Sequence, residues 1–398
     1  MPAARRLAVF RNNLLSGLAL PLFVWAGAAG TLGAQQKERA RALGVSVGTL
    51  SPGRWNAITD VAGVRVGQTT VVQRDSVHTG ITAVLPHPGN LFLERVPAAI
   101  YVGNGFGKLL GSTQVTELGE LETPILLTCT LCVWKAADAM VEYLLQQPEM
   151  DQVRSINPVV GETNDGLLNA IRQRPITPDQ VRAALASAAS GPVAEGSVGA
   201  GAGTVAFGWK GGIGTASRRT DASDSGWTVG VLVQSNFGGD LHILGVPVGR
   251  ALGRDGVHRS GATEQAKGSI MVVLATDAPL SERNLRRLAA RALVGVGRTG
   301  SVMDNGSGDY VIAFSTHPGV RRRPQEARRT VIDLANDSLS GLFRAAAEAT
   351  EEAIYNSLFM ATTVRSRNAT VDELPVAEVL RLLKERHALN PTEPSGPK

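Results

Sequence analysis

An α+β fold whose strands are covered on both faces is what this sequence predicts, and three observations carry it. Strand-length runs at 81–85, 98–102, 228–234, 270–276 and 310–316 are largely unbroken by charge, with a further candidate at 203–208. Several are continuously apolar, as in a strand that has no solvent face. Glycine punctuates these runs, at 45 of 398 residues. Between them, a few segments change to the 3.6-residue periodicity of helices.

The clear helices fall in the second half of the chain. After Pro279, Ser281 is placed to cap a helix that carries Leu285, Leu288, Ala289, Ala292 and Leu293 on one stripe. A second helix starts near Ser338 and carries Leu342, Ala346, Ala349, Ala353, Ile354 and Leu358, and residues 376–384 form a short third. Arg283, Arg286, Arg287 and Arg291 lie on the outer side of the first helix, as a solvated face would, and Arg321, Arg322 and Arg323 follow Pro318-Gly319 in a surface turn.

Composition bounds the rest. A chain that is 43% hydrophobic and 19% charged can bury a sizeable core, and no repeat or long linker forces a boundary inside 35–389, which reads as one domain. Aromatic residues, at 5%, are too sparse for nucleic-acid binding by stacking. Arg5, Arg6 and Arg11 precede the apolar stretch 14–29, and small residues follow at 26–28 and 33–34. That is the order of a secretory signal peptide, so segment 1–34 is expected to be removed and the protein to be exported, periplasmic or secreted. The stretch is short for a membrane span, although an uncleaved anchor is the alternative; no membrane association is expected after removal. Removal would take the net charge from +5 to +2, which points to no anionic partner. The tail 390–398 is rich in proline and polar residues and is expected to be disordered.

Several patterns carry no chemistry. Cys129 and Cys132 read as two small buried side chains at a strand end; export permits a disulfide and the spacing also fits a redox motif. Gly103-Asn-Gly-Phe-Gly-Lys108 has the look of a phosphate loop, but Leu109 stands where Ser or Thr should bind magnesium. The six histidines never fall in a metal spacing, so no metal, nucleotide or other cofactor is implied.

The junction Gly268–Ser269 is different, because Ser269 opens the apolar run that ends at Thr276. A serine Oγ can attack the carbonyl carbon just before it through a five-membered ring, converting amide to ester, and water then cuts the ester. Glycine tolerates the backbone angles this needs and adds no side chain in the way. The new N-terminal serine owns an α-amine, a group that ordinarily titrates at roughly 7.7–8.0, and this amine can serve as its general base. Alone, the dipeptide reads as a turn before a strand. Its support comes from Asn236, which ends a buried run and can donate its amide to an oxyanion, and from Ser307 and Asp309 in a glycine-rich loop before Tyr310.

Six segments make the chain recognisable. Trp55-Asn-Ala-Ile-Thr-Asp-Val61, Pro158-Val-Val-Gly-Glu-Thr-Asn-Asp-Gly166, Gly208-Trp-Lys-Gly-Gly-Ile-Gly-Thr-Ala-Ser-Arg218, Val231-Leu-Val-Gln-Ser-Asn-Phe-Gly238, the stretch 268–280 and Glu352-Ala-Ile-Tyr-Asn-Ser-Leu-Phe359 together resemble the DmpA-type aminopeptidases. That family includes L-aminopeptidase/D-amidase-esterases and β-peptidyl aminopeptidases. The resemblance runs from about Ala40 to about Thr363. It implies a four-layer αββα sandwich of N-terminal-nucleophile-hydrolase type and self-cleavage into an α chain, 35–268, and a β chain, 269–398. It further implies Ser269 as nucleophile, Ser307 and Asp309 as its supporting serine and acid, Asn236 as the oxyanion-side amide and Glu162 as the carboxylate that holds the substrate's free amino group. Asp309 is one methylene shorter than the glutamate associated with that position. A small peptide, amide or ester with a free amino terminus is the implied substrate, and a tetramer of αβ units the implied assembly.

Two other readings compete. Ornithine acetyltransferases share a related self-cleaving architecture but cut at threonine, which Ser269 and export count against. A non-catalytic exported binding protein of the same fold is the second, and the joint presence of Gly268, Ser269, Asn236, Ser307 and Asp309 weighs against it.

Overall fold

The computed structural model describes residues 37–221, 226–254 and 268–389. The expected signal segment 1–34 and tail 390–398 lie outside them. The main strands, in chain order, are β1 (Arg65–Gln73), β2 (Val77–Leu85), β3 (Val96–Gly105), β4 (Leu109–Leu110), β5 (Glu120–Leu121), β6 (Ile125–Cys129), β7 (Val159–Thr163), β8 (Gly212–Arg219), β9 (Thr228–Asn236), β10 (Ser269–Thr276) and β11 (Gly308–Ser315). They form a five-stranded sheet, β1-β2-β6-β7-β4, and a six-stranded sheet, β8-β9-β10-β11-β3-β5. Helices α1 (Val133–Leu145) and α2 (Pro178–Ala186) pack on the first sheet, and α3 (Glu282–Arg298) and α4 (Ser340–Phe359) on the second. Helix α5 (Val376–Glu385) adds Val379 and Leu383 to the core beside them. No helix among the described residues is long and apolar enough to cross a membrane.

The side chains of β10 show why this is a four-layer αββα sandwich. Ile270, Val272 and Leu274 join Leu285, Leu288 and Ala349 in the core under α3 and α4. Their neighbours Met271, Val273 and Ala275 point the other way and meet Ile125, Leu127 and Val159 of the first sheet. On that sheet the alternation continues, with Leu126 and Val160 under Ala136, Met140 and Val181 of the outer helices. A strand with period-two side chains can be apolar throughout only if both of its faces are covered. Burial of each Val, Leu or Ile contributes about 1.5–3 kcal/mol.

Helices α3 and α4 begin near the expected places, and the Ser281 hydroxyl caps α3 by accepting from the Asn284 N–H at 3.4 Å. Helix α4 is buried from Ala345 to Phe359 because α3 and segment 40–50, as well as the sheet, pack against it. Its Glu348 accepts from the Thr49 and Leu50 N–H groups at 3.2 and 3.1 Å, and its Glu352 binds fully buried Arg218 at 2.5 Å and Arg41 at 2.6 Å.

Three expectations need correction. The 203–208 run is not a main strand: only Val205–Ala206 pair, with Trp209–Lys210, because Phe207 and Gly208 both take positive φ and turn the chain back at once. Arg322 is buried rather than at the surface, held by Glu282 at 2.7 Å, Glu120 at 3.5 Å and the carbonyls of Leu118 and Gly119. The outer arginines of α3 are not merely solvated, since Arg287 and Arg291 lie over the Phe343 ring. Cys129 and Cys132 are buried and disulfide-bonded.

Candidate active site

One end of the second sheet gathers the chemistry. Ser269 opens β10, with Asn236, the last residue of β9, as its antiparallel partner and Gly308, the first residue of β11, as its parallel partner. The Gly308 N–H donates to Ser269 Oγ at 3.2 Å, and the serine is 5% exposed. Gly268 has to be glycine here, because a Cβ would fall on the backbone of Asn236 and Phe237.

Beside Gly308, Ser307 Oγ donates to Asp309 Oδ1 at 2.6 Å, so the shorter acid does reach its serine. Burial pushes the Asp309 carboxyl up to about 6, against the pull of the Ser307 hydroxyl and the Ile270 backbone, with the charge of Asp304 adding to the rise. Its Oδ2 is buried and has no hydrogen-bond partner among the described residues. An acid in this state changes charge within the working pH range of a general acid or base.

Asn236 is clamped at both ends of its amide. Its Oδ1 accepts from the Val205 N–H at 2.9 Å and its Nδ2 donates to the Asn164 carbonyl at 3.1 Å. An amide nitrogen carries two hydrogens, so one N–H remains for a ligand.

Glu162 comes from the other sheet, near the end of β7, and is 2% exposed. Its Oε1 accepts from the Lys108 N–H at 2.9 Å and faces the Lys108 ammonium at 3.4 Å. The Tyr310 phenol feels both carboxyls: burial raises it, and the charges of Glu162 and Asp309 raise it further. Gly107 packs between these groups, where a Cβ would stand 3.2 Å from both Glu162 Oε1 and the Tyr310 ring and 3.3 Å from Gly308 Cα.

The structure therefore brings Ser269, Gly268, Asn236, Ser307, Asp309 and Glu162 to one end of the two facing sheets. Sequence reasoning missed the wall of this site. The glycine-rich loop after β3, set aside as a false phosphate loop, braces Ser307: Phe106 N–H donates to the Ser307 carbonyl at 3.1 Å, and Asn104 donates to the carbonyls of Asp304 and Asn305 at 3.1 Å. The density of glycine just past an apolar run was the available signal for a close backbone approach.

Two facing sheets between helical layers, with a serine at the first position of a central strand, define a hydrolase of the N-terminal-nucleophile type. Residues 56–371 match peptidase family S58, and the chain belongs to that family. Beta-peptidyl aminopeptidase BapA of Sphingosinicella microcystinivorans is 41% identical over 388 residues, which span 92% of this chain and 95% of the relative. The solved structure of a Burkholderia sp. beta-aminopeptidase matches with a TM-score of 0.80 and 41% identity, over 87% of this chain and 99% of that one. The L-aminopeptidase D-Ala-esterase/amidase of Ochrobactrum anthropi, a serine aminopeptidase and a variant among the Ntn hydrolase fold, matches with a TM-score of 0.81 and 36% identity, over 89% of this chain and 100% of that one.

Proposed function

We propose that this aminopeptidase cuts its own chain between Gly268 and Ser269 and then uses the freed serine as its nucleophile. Ser269 opening β10, flanked by Asn236 and by the Gly308 N–H, is the observation that carries the reading. In the precursor, Ser269 Oγ attacks the Gly268 carbonyl carbon and the peptide nitrogen leaves as an amine. Water cleaves the resulting ester, giving a carboxylate on Gly268 and restoring the serine hydroxyl.

In the mature enzyme, Glu162 receives the substrate's ammonium as a charge-assisted partner beside its 2.9 Å contact from the Lys108 N–H. Ser269 Oγ attacks the first carbonyl while the Ser269 amine takes its proton and later gives it to the departing amine. Asn236 Nδ2–H meets the developing oxyanion, and the Ser307–Asp309 pair orients the nucleophile. A water then releases the acyl group. Because the amino group is bound rather than the residues beyond it, the enzyme removes residues one at a time from free N-termini. Relatives named for β-peptidyl substrates support placing β-amino acyl compounds within its range. Segment 1–34 supports export to the periplasm or medium, and the family resemblance a tetramer of αβ units.

A panel of p-nitroanilides with free-amine L-, D- and β-residues, each beside its N-acetylated form, tests this. The free-amine forms are expected to turn over and the acetylated forms to resist, and Glu162→Gln should raise KM for the free-amine forms by about tenfold or more. Rapid turnover of acetylated substrates by the wild-type enzyme would overturn the role of Glu162.

A further inference from the structure

Both clamps on Asn236 are loops, and each loop is pinned by a buried charge. Val205, whose N–H holds Asn236 Oδ1, pairs with Lys210 in the two-residue ribbon, and the Phe207 N–H at its turn donates to the Phe237 carbonyl at 2.8 Å. The Lys210 side chain is wholly buried, and its ammonium donates to the carbonyls of Gly201 and Gly211 at 2.8 Å each. That ties the loop leading into Val205 to the start of β8.

Asn164, whose carbonyl holds Asn236 Nδ2, is followed by Asp165. The Asp165 carboxyl is also buried and accepts from Asn169 Nδ2 at 2.9 Å, while its backbone carbonyl accepts from the N–H groups of Leu168 and Asn169 at 3.1 and 3.0 Å. The two loops touch: a Cβ on Gly203 would stand 3.0 Å from Asp165 Cβ. Burial pushes the Asp165 carboxyl up to about 7 and the Lys210 ammonium down to about 7, and each opposes the other's shift through its charge. No hydrogen bond joins the two side chains directly: the ammonium is held by backbone carbonyls and the carboxyl by Asn169, each on its own loop. What the pair supplies is directed hydrogen bonding on two loops that meet at one side chain.

We infer that Lys210 and Asp165 are positioning residues for the aminopeptidase reaction, holding the two loops that fix the Asn236 amide beside Ser269. The inference rests on Asn236 being the oxyanion donor. Neither residue touches the reacting atoms, so their effect must pass through Asn236 and appear in kcat rather than KM.

A double-mutant cycle on a free-amine p-nitroanilide, with rates counted per cleaved chain, tests it. Lys210→Met in the wild-type background should lower kcat about tenfold, with KM within about twofold. In the Asn236→Ala background the same change should cost less than about twofold, because the group it positions is gone. An equal loss in both backgrounds, or a loss confined to KM, would overturn the inference. If Lys210→Met does not fold, Asp165→Asn, which keeps the shape and the acceptor for Asn169, carries the same cycle, with the same result expected and the same results overturning it. An Asn236→Ala enzyme as fast as wild type overturns the reading of Asn236 itself, and the positioning role with it.

Discussion

Asn236 and Ser269 are direct register partners across antiparallel strands β9 and β10, the last residue of one opposite the first of the other. Opposed residues in such a pair lie about 4.5–5.5 Å apart at Cα, so the carboxamide and the hydroxyl flank the same small space. Asn236→Ala should therefore lower kcat by about 10²–10³-fold with little change in KM, as loss of one oxyanion donor does elsewhere. Steady-state kinetics on fully cleaved protein checks this, and an unchanged kcat would remove Asn236 from the chemistry.

The carboxyl of Asp309, pushed up to about 6 by burial first of all, accepts the hydrogen bond from the Ser307 hydroxyl most strongly when ionised. Activity should consequently rise as pH climbs through about 6. Asp309→Asn cannot ionise, so the lower limb should vanish and the plateau of kcat/KM fall by about 10²-fold or more. Profiles of kcat/KM against pH for both proteins decide it. A lower limb that survives in Asp309→Asn would assign that titration to another group.

Far from the site, Arg218 is the countercharge for two interior carboxylates, Glu352 at 2.5 Å and Glu348 at 3.3 Å. Burial drives the Glu352 carboxyl up, but Arg218, Arg41 and Asn56 overcome that and hold it below its ordinary value. A depressed folded pKa means that this stabilisation is present above the unfolded carboxylate range and is lost as pH falls through the folded value. Arg218→Met should destabilise the fold by about 3–5 kcal/mol at neutral pH, with a weaker dependence on acid than wild type. Urea unfolding at pH 7 and at lower pH measures both, and a loss of under about 1 kcal/mol would mean that Arg41 alone suffices as countercharge for the buried carboxylates.

Much of this was legible in the chain. Helix α3 announced itself through Pro279, the Ser281 cap and the Leu285–Leu288–Ala292 stripe, and β10 through an apolar run too long to have a wet face. The site residues were found by resemblance as much as by chemistry, since Asn, Ser-Gly-Asp and Gly-Ser are ordinary turn material taken singly. Strand β8 was not visible, because its glycines and small polar residues look like a loop. Gly214 is there because a Cβ would run into the Ala353 carbonyl of α4, so close packing erased the apolar signal that marks other strands. Helix α2 was missed although Thr177 and Gln180 form a capping box before it. Arg322 and Lys210 were unreadable for another reason: a buried cation is recognised by the partners that surround it, and those come from distant segments.

Self-cleavage at Gly268–Ser269 is tested most directly by intact-mass spectrometry of purified, active protein. Two fragments are expected, the second beginning with an unmodified Ser269, while Ser269→Ala should yield one uncut and inactive chain. Full aminopeptidase activity in a single continuous polypeptide would contradict the N-terminal serine as nucleophile.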